Sequence, residues 1–267
     1  MSFIRSGGAV SFYELRQAAS AAPAPALLLI HALGTSHRIW DGVLGELRYP
    51  GPVLRYDLRG HGLSEIGECP YDIASLAADA GALLDQLGVG SVIVCGLSVG
   101  GLIAQEFALA AGSRVRGAIL CGTAARIGSV ELWQTRIAQV REGGVGSIAE
   151  AALGRWFSPG FRAREPDAVR GYRCLLERTP SAGYLAMLHA LRDADLGERL
   201  PLLRAPTLVV SGELDQATTP DDGRKLAGLI PGARFELLSQ ASHLLCVEKP
   251  RELAALIDGF SQGLGLG

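Results

Sequence analysis

Short apolar runs alternate with longer segments of helical periodicity along most of this chain. The apolar runs predict β-strands at Val10–Leu15, Ala26–Ile30, Val53–Tyr56, Ser91–Cys95, Val115–Cys121, Thr207–Ser211 and Arg234–Leu238. Between them, apolar residues at helical spacing predict helices over Ile73–Leu87, Val99–Ala111, Asp221–Leu229 and Pro250–Phe260. This alternation is typical of an α/β protein with a mostly parallel central sheet and helices on both faces.

One stretch departs from the alternation. Residues 124–195 contain no strand-like run but carry tryptophans, arginines and segments of helical period. We therefore predict a helical cap at 124–195, inserted into a core made of residues 1–123 and 196–267.

Composition and charge narrow the classes of function. With 267 residues, 48% hydrophobic and 19% charged, the chain can bury a large core together with an inserted subdomain. The formal net charge of −2 and the absence of a basic run argue against nucleic acid as a partner. The apolar stretch from Ala18 to Ile30 is interrupted by Pro23 and Pro25, so we interpret it as a linker leading into a strand. It predicts neither a signal peptide nor a membrane span.

The cysteines give no sign of a disulfide framework or a metal site. Five of them are scattered without C-x-x-C spacing, at Cys69, Cys95, Cys121, Cys174 and Cys246. This usage predicts reduced, buried thiols in a cytoplasmic protein, and closely spaced zinc ligands are missing from the sequence.

The strongest chemical signal is a G-x-S-x-G motif formed by Gly96, Ser98 and Gly100. A predicted buried strand precedes it and an apolar helix follows it, which is the context of a nucleophile elbow. Such a turn strains the serine backbone and leaves no room for side chains at the two glycines. The pattern predicts that Ser98 is a nucleophile, with free N–H groups of the helix N-terminus facing the developing charge.

A serine nucleophile needs a base, and the base needs an orienting acid. His243 lies in a polar loop after the last predicted strand, where the chain order Ser, Asp, His places the base. Asp215 follows the strand Thr207–Ser211 and is our predicted acid, with Glu213 as the competing carboxylate. Of the other histidines, we expect His61 to brace a loop, His189 to lie in the cap or at the surface, and His37 to line a pocket or begin a helix.

An oxyanion hole in such enzymes uses the amide after the nucleophile and a second amide from the loop after an earlier strand. These positions correspond to Val99 and, in the loop His31-Ala-Leu-Gly34, to Leu33.

Several further segments together resemble the 3-oxoadipate enol-lactonases of the β-ketoadipate pathway, which have the α/β-hydrolase fold. The resemblance runs from about Leu27 to the final helix. It rests on Leu33–Thr35 with Trp40-Asp41, Tyr56–Ser64, Cys95–Gly101, Cys121–Ala124, Arg155–Ser158 and Ser211–Pro220. The chain departs from the family pattern at His31-Ala32, where these lactonases more often have Asn-Ser.

The resemblance implies hydrolysis of a small enol-lactone that carries one free carboxylate, without a metal or organic cofactor. Such a substrate calls for flat apolar contacts, for which Trp133 and Trp156 are candidates, and for a cation. Our candidate for the cation is Arg136, while Arg126, Arg155 and Arg162 stay open. The same triad also serves other reactions on this fold. Hydrolysis of another ester, carbon–carbon bond cleavage, perhydrolysis and a non-enzymatic ligand receptor therefore remain as alternatives.

Overall fold

The computed structural model describes residues 2–18 and 24–265 and is built around an eight-stranded sheet. Its strands are β1 (Ser2–Ser6), β2 (Ala9–Arg16), β3 (Ala26–Ile30), β4 (Val53–Tyr56), β5 (Val92–Leu97), β6 (Val115–Cys121), β7 (Thr207–Gly212) and β8 (Arg234–Leu238). They lie in the order β1-β2-β4-β3-β5-β6-β7-β8. The pairings of β1 with β2 and of β2 with β4 are antiparallel, and all the others are parallel. The predicted fold class is confirmed.

All seven predicted strands are present, but β1 is an additional one. Its residues are mostly exposed, and Phe3 is 61% accessible to solvent. A strand at the edge of a sheet pairs on one side only and does not need an apolar run. The central strands β3 and β5 are instead completely buried, because helices cover both faces of a parallel sheet.

The helices include the four that periodicity predicted. In chain order they are α1 (Asp41–Glu46), α2 (Ile73–Gln86), α3 (Val99–Ala111), α4 (Val130–Gly143), α5 (Ala149–Trp156), α6 (Pro159–Arg164), α7 (Pro166–Glu177), α8 (Ser181–Asp193), α9 (Pro220–Leu229), α10 (Leu245–Glu248) and α11 (Pro250–Gly263). The sequence did not predict α1 and α10, because six and four residues are too few to display a helical period.

The linker predicted before β3 falls partly on residues 19–23, which lie outside the described part of the chain. The prediction of buried cysteines is wrong for Cys69 and Cys174, which are exposed, and right for Cys95, Cys121 and Cys246. Among the described residues, helices of the length and apolarity needed to cross a bilayer are absent.

The segment 124–195, which we call the cap, carries the helices α4 to α8, and none of its residues lies in a strand. Its independence as a subdomain stays a prediction. Two core glycines with positive φ, Gly34 and Gly60, lie against the cap. Gly34 faces Trp156, Leu176 and Tyr184 of the cap, and Gly60 faces Gly183 on α8. The two backbones at Gly60 and Gly183 approach so closely that neither position has room for a Cβ atom.

The contact between Gly60 and Gly183 gives a prediction about stability. A Cβ at position 183 would lie 2.5 Å from the Cα of Gly60 and 2.8 Å from its carbonyl oxygen, which are backbone atoms that cannot turn aside. We expect Gly183→Ala to lower the free energy of unfolding by roughly 1–3 kcal/mol through overpacking. That loss would come in spite of the preference of about 1 kcal/mol for alanine in helices.

The matched control is Gly171→Ala on α7, an exposed position where an added Cβ meets nothing within 4 Å. We expect it to leave stability unchanged or to raise it by up to about 1 kcal/mol. Urea unfolding of both variants measures the difference, and equal stabilities would show that the cap does not need the glycine contact.

Candidate active site

Ser98 occupies a turn between β5 and α3 in which the backbone adopts an unusual conformation. Its φ is 59° and its ψ is −119°, so it is one of two non-glycine residues with positive φ in the described chain. Such a conformation costs on the order of 1–3 kcal/mol and persists only where the surroundings enforce it. Here the Ser98 amide donates to the carbonyl of Cys121 at 3.0 Å, and the hydroxyl of Thr123 donates to the carbonyl of Ser98 at 2.8 Å.

The two glycines of the motif make this turn possible. A Cβ at Gly96 would lie 2.0 Å from the carbonyl oxygen of Gly100, and a Cβ at Gly100 would lie 2.5 Å from that of Ile30. Both contacts are far shorter than van der Waals distance. The spacing of the motif therefore follows from the close packing of the end of β5, the start of α3 and the end of β3.

Asp215 and His243 form a buried pair beside this turn. His243 Nδ1 lies 2.8 Å from Asp215 Oδ2, and the two residues are 4% and 3% exposed. Because an ionised carboxylate only accepts hydrogen bonds, the network assigns the proton to Nδ1. Asp215 also accepts hydrogen bonds from the amides of Ala217 and Thr218 and from the Thr218 hydroxyl, at 2.7, 3.1 and 2.9 Å. The carboxylate thus fixes the tautomer that leaves Nε2 without a proton.

The environment keeps Asp215 ionised and distinguishes it from the competing carboxylate, Glu213. Burial alone would raise the pKa of Asp215, but the adjacent His243 and the hydrogen bonds from Thr218 and Ala217 lower that pKa overall. Glu213 is exposed and accepts hydrogen bonds from the Ser239 hydroxyl and the Gln240 amide, both at 2.8 Å. It braces the loop after β8 and does not meet His243.

Ser98 and His243 line the same cavity. The hydrogen bonds among the described residues do not include one between the Ser98 hydroxyl and His243. Such contacts are often long in the absence of substrate and shorten when it binds.

The loop after β3 holds Leu33 at the cavity through the buried side chain of His31. The Leu58 amide donates to His31 Nε2 at 2.9 Å, and His31 Nδ1 lies 2.8 Å from the carbonyl oxygen of Ala32. An Nε2 that accepts a hydrogen bond requires a neutral ring. Burial, followed by the charge of His61, lowers the pKa of His31 to about 3. His31 therefore stays neutral and ties the Leu33 loop to the segment after β4.

The remaining histidines serve local structure. His37 begins a short 3-10 helix, and its Nδ1 lies 2.8 Å from Asp57 Oδ1. His61 Nδ1 lies 3.0 Å from the carbonyl oxygen of Arg59, in agreement with a bracing role. His189 is partly exposed on α8, next to Arg141.

A cavity of about 230 Å³ lies between the ends of the strands and the cap. It is lined from the core by Ala32, Leu33, Ser98, Gln216, Ala217 and His243, and from the cap by Ile127, Gly128, Leu132, Trp133, Arg136, Ala152, Arg155, Trp156, Tyr184 and Leu191. Two of the predicted site residues, Asp215 and Val99, are not in its lining, and Asp215 lies behind His243 as its hydrogen-bond partner. Val99 is buried as the first residue of α3, where an amide has no acceptor within the helix.

The four candidate arginines divide into two pairs. Arg126 pairs with Asp195 at 3.3 Å on the surface, and Arg162 is exposed on α6. Arg136 and Arg155 instead line the cavity, where Arg136 Nε and one terminal nitrogen of Arg155 are buried without a hydrogen-bond partner among the described residues. Burial, and then the charge of Arg136, lowers the pKa of Arg155. Two cations therefore face one small cavity.

Sequence patterns did not predict several of the lining residues, among them Tyr184, Leu191 and Gln216. Tyr184 and Leu191 are seven residues apart on α8, so they share a helix face, and that spacing was visible in the sequence. Gln216 directly follows the predicted acid, but no pattern distinguishes it from an ordinary loop residue.

Comparison with known proteins gives a consistent result. The family model described as alpha/beta hydrolase fold matches residues 25–250. The chain is 37% identical over 227 residues to 3-oxoadipate enol-lactonase 2 of Acinetobacter baylyi, covering 85% of each protein. It is 31% identical over 241 residues to 3-oxoadipate enol-lactonase 1 of the same organism, covering 90% of each. The crystal structure of the enol-lactonase from Burkholderia xenovorans LB400 superposes with a TM-score of 0.93 at 36% identity, covering 98% of this chain and 100% of that one.

The buried neutral His31 gives a prediction about pH. Below about pH 6.5 the unfolded chain binds a proton at this residue, whereas the folded chain does so only near pH 3. Its contribution to stability is therefore lost progressively as the pH falls through that window. We expect His31→Asn to remove this dependence. When the pH is lowered from about 7 to about 5, the free energy of unfolding of the His31→Asn variant should fall by about 2 kcal/mol less than that of the wild type.

Urea unfolding at the two pH values measures the difference. His189→Asn is the control, since that ring is partly exposed and should affect the pH dependence much less. An unchanged pH dependence in His31→Asn would contradict the assignment of a neutral ring.

Proposed function

This chain belongs to the alpha/beta hydrolase fold family and, within it, to the 3-oxoadipate enol-lactonases, and from that premise we propose that Ser98, His243 and Asp215 open 3-oxoadipate enol-lactone. The protein is a serine hydrolase that acts on an ester. We further propose that it works in the cytoplasm, in the β-ketoadipate pathway of aromatic catabolism, and that its product is 3-oxoadipate.

In the first step, His243 Nε2 takes the proton of the Ser98 hydroxyl while the oxygen attacks the lactone carbonyl. Asp215 stabilises the imidazolium that forms and holds its orientation. In this proposal the amides of Val99 and Leu33 donate to the oxyanion of the tetrahedral intermediate. Each donor of this kind is worth about 3 kcal/mol to the transition state.

Collapse of the intermediate breaks the ring C–O bond and expels an enolate, which is a better leaving group than a simple alkoxide. His243 returns its proton to give the enol, which tautomerises to the ketone. A water molecule activated by His243 then hydrolyses the acyl-enzyme and frees Ser98. The proposed steps use neither a metal nor an organic cofactor.

The observation that carries this proposal is that Arg136 Nε and one terminal nitrogen of Arg155 are buried without a hydrogen-bond partner among the described residues, in the same cavity as Ser98 and His243. A buried cation without a counter-charge is costly, and a substrate carboxylate would offset that cost through charge-assisted hydrogen bonds. We propose that Arg136 and Arg155 together bind this carboxylate, with Trp133 and Trp156 as apolar walls. A cavity of about 230 Å³ suits a compact lactone better than a long acyl chain.

The triad gives the first prediction for this function. We expect Ser98→Ala and Asp215→Asn each to lower kcat for the enol-lactone by roughly 10³-fold or more, because they remove the nucleophile and the tautomer of the base. Loss of the ultraviolet absorbance of the enol-lactone measures the rate.

Two substitutions serve as matched controls for the triad. Ser113→Ala lies on the surface, and Glu213→Gln changes the competing carboxylate of the same loop, so both should keep nearly full activity. If Ser98→Ala kept more than a few per cent of the rate, or if Glu213→Gln lost activity as Asp215→Asn does, the assignment would fail. A wild-type protein that is inactive on the enol-lactone but shows burst kinetics on a chromogenic ester would favour a different ester.

The arginine pair gives a second prediction. We expect Arg136→Ala and Arg155→Ala to lower kcat/KM for the enol-lactone by about 10–100-fold, the worth of a hydrogen bond between charged groups. A neutral chromogenic ester lacks the carboxylate, so its kcat/KM should change by less than about threefold. Arg126→Ala, on the cap surface, is the control. Equal losses on both substrates would show that the arginines support the cap and do not bind a carboxylate.

A further inference from the structure

Glu248 lies at the end of α10, five residues after His243, and its carboxylate joins two segments that are far apart in the chain. Oε1 accepts the amide of Ser158 at 2.9 Å and the amide of Ser242 at 3.2 Å. Oε2 accepts the Ser158 hydroxyl at 2.5 Å. Ser158 belongs to the cap, where it begins α6, and Ser242 directly precedes His243. A single carboxylate therefore binds both the cap and the loop of the proposed base.

Two further hydrogen bonds join the same segments without Glu248. The Ser242 hydroxyl donates to the carbonyl of Arg155 at 3.0 Å, and the Leu244 amide donates to the carbonyl of Trp156 at 3.0 Å. The residues on either side of His243 are thus bound to Arg155 and Trp156, two of the cap residues that line the cavity. Ser158 and Ser242 are 4% and 3% exposed, so water competes little for these donors.

This arrangement bears on the reacting atom of His243. Asp215 holds Nδ1 only, so the position of Nε2 also depends on the backbone of residues 242–244. A displacement of about 1 Å of a catalytic group costs roughly 10²-fold in rate. We propose that Glu248 is a positioning residue that fixes the His243 loop against cap residues 155–158, so that the cap sets the position of the base as well as the shape of the pocket.

The proposal rests on the assignment of His243 as base in the proposed function, but not on the identity of the ester. The test therefore uses a neutral chromogenic ester beside the enol-lactone. We expect Glu248→Ala to lower kcat at least tenfold on both substrates, with KM changed less than about threefold. Glu248→Gln keeps an acceptor for the two amides and should recover most of the loss. Glu252→Ala, an exposed carboxylate on the neighbouring α11, is the control.

The His243→Ala background distinguishes positioning of the base from a role of Glu248 in stability alone. There the base is gone, so the addition of Glu248→Ala should leave the residual rate unchanged, whereas general damage to the site would lower it again. Circular dichroism confirms that each variant is folded at the assay temperature. A folded Glu248→Ala with the kcat of the wild type on both substrates overturns the proposal, as does an equal loss in the presence and absence of His243. A wild-type protein that hydrolyses the chromogenic ester but not the enol-lactone would instead contradict the proposed function. The role of Glu248 would then still be decided by the rates on the ester.

Discussion

Ser98 stands at a backbone φ of 59°, on a turn where neither flanking glycine has room for a β-carbon. The strain is of the order of 1–3 kcal/mol and has to be enforced by the surroundings. The fully buried strand β5, the hydrogen bonds to Cys121 and Thr123 and the packing of α3 against the end of β3 together enforce it. The sheet thus acts as a rigid support that holds the Ser98 hydroxyl at the carboxyl ends of its strands. The other groups of the site are arranged around this fixed point.

The groups around Ser98 differ in how fully their polar atoms are hydrogen-bonded. On the core side, hydrogen bonds hold Asp215 ionised and His31 neutral, and they place the proton of the neutral His243 ring on Nδ1. On the cap side, Arg136 and Arg155 retain polar atoms without partners. Buried guanidinium nitrogens without partners on the cap side favour a ligand that brings negative charge to that side of the cavity.

The sequence predicted the sheet, and it singled out the three residues of the proposed triad, because both inferences depend on local signals. Buried parallel strands are apolar throughout, and a nucleophile elbow needs its two glycines at fixed positions. It did not predict β1, since an edge strand such as this one with Phe3 exposed carries no apolar run. The choice between Arg136 and Arg155 and the roles of Tyr184 and Glu248 depend on how the cap helices pack against the core. That packing joins residues about 90 positions apart, as Ser158 and Glu248 show, and no local pattern records it.

The hydrogen bonds that join Ser242, Leu244 and Glu248 with residues 155–158 also bear on how such enzymes diversify. An inserted cap can be regarded as a module whose exchange would change specificity on a constant core. In this protein the structural unit that holds the cap extends past the insertion at 124–195. Three residues that hydrogen-bond with the cap, Ser242, Leu244 and Glu248, lie beyond β8. It follows from the proposed role of Glu248 that a chimaera with a foreign cap at 124–195 must also import matching residues at 242–248, or the proposed base His243 will be misplaced.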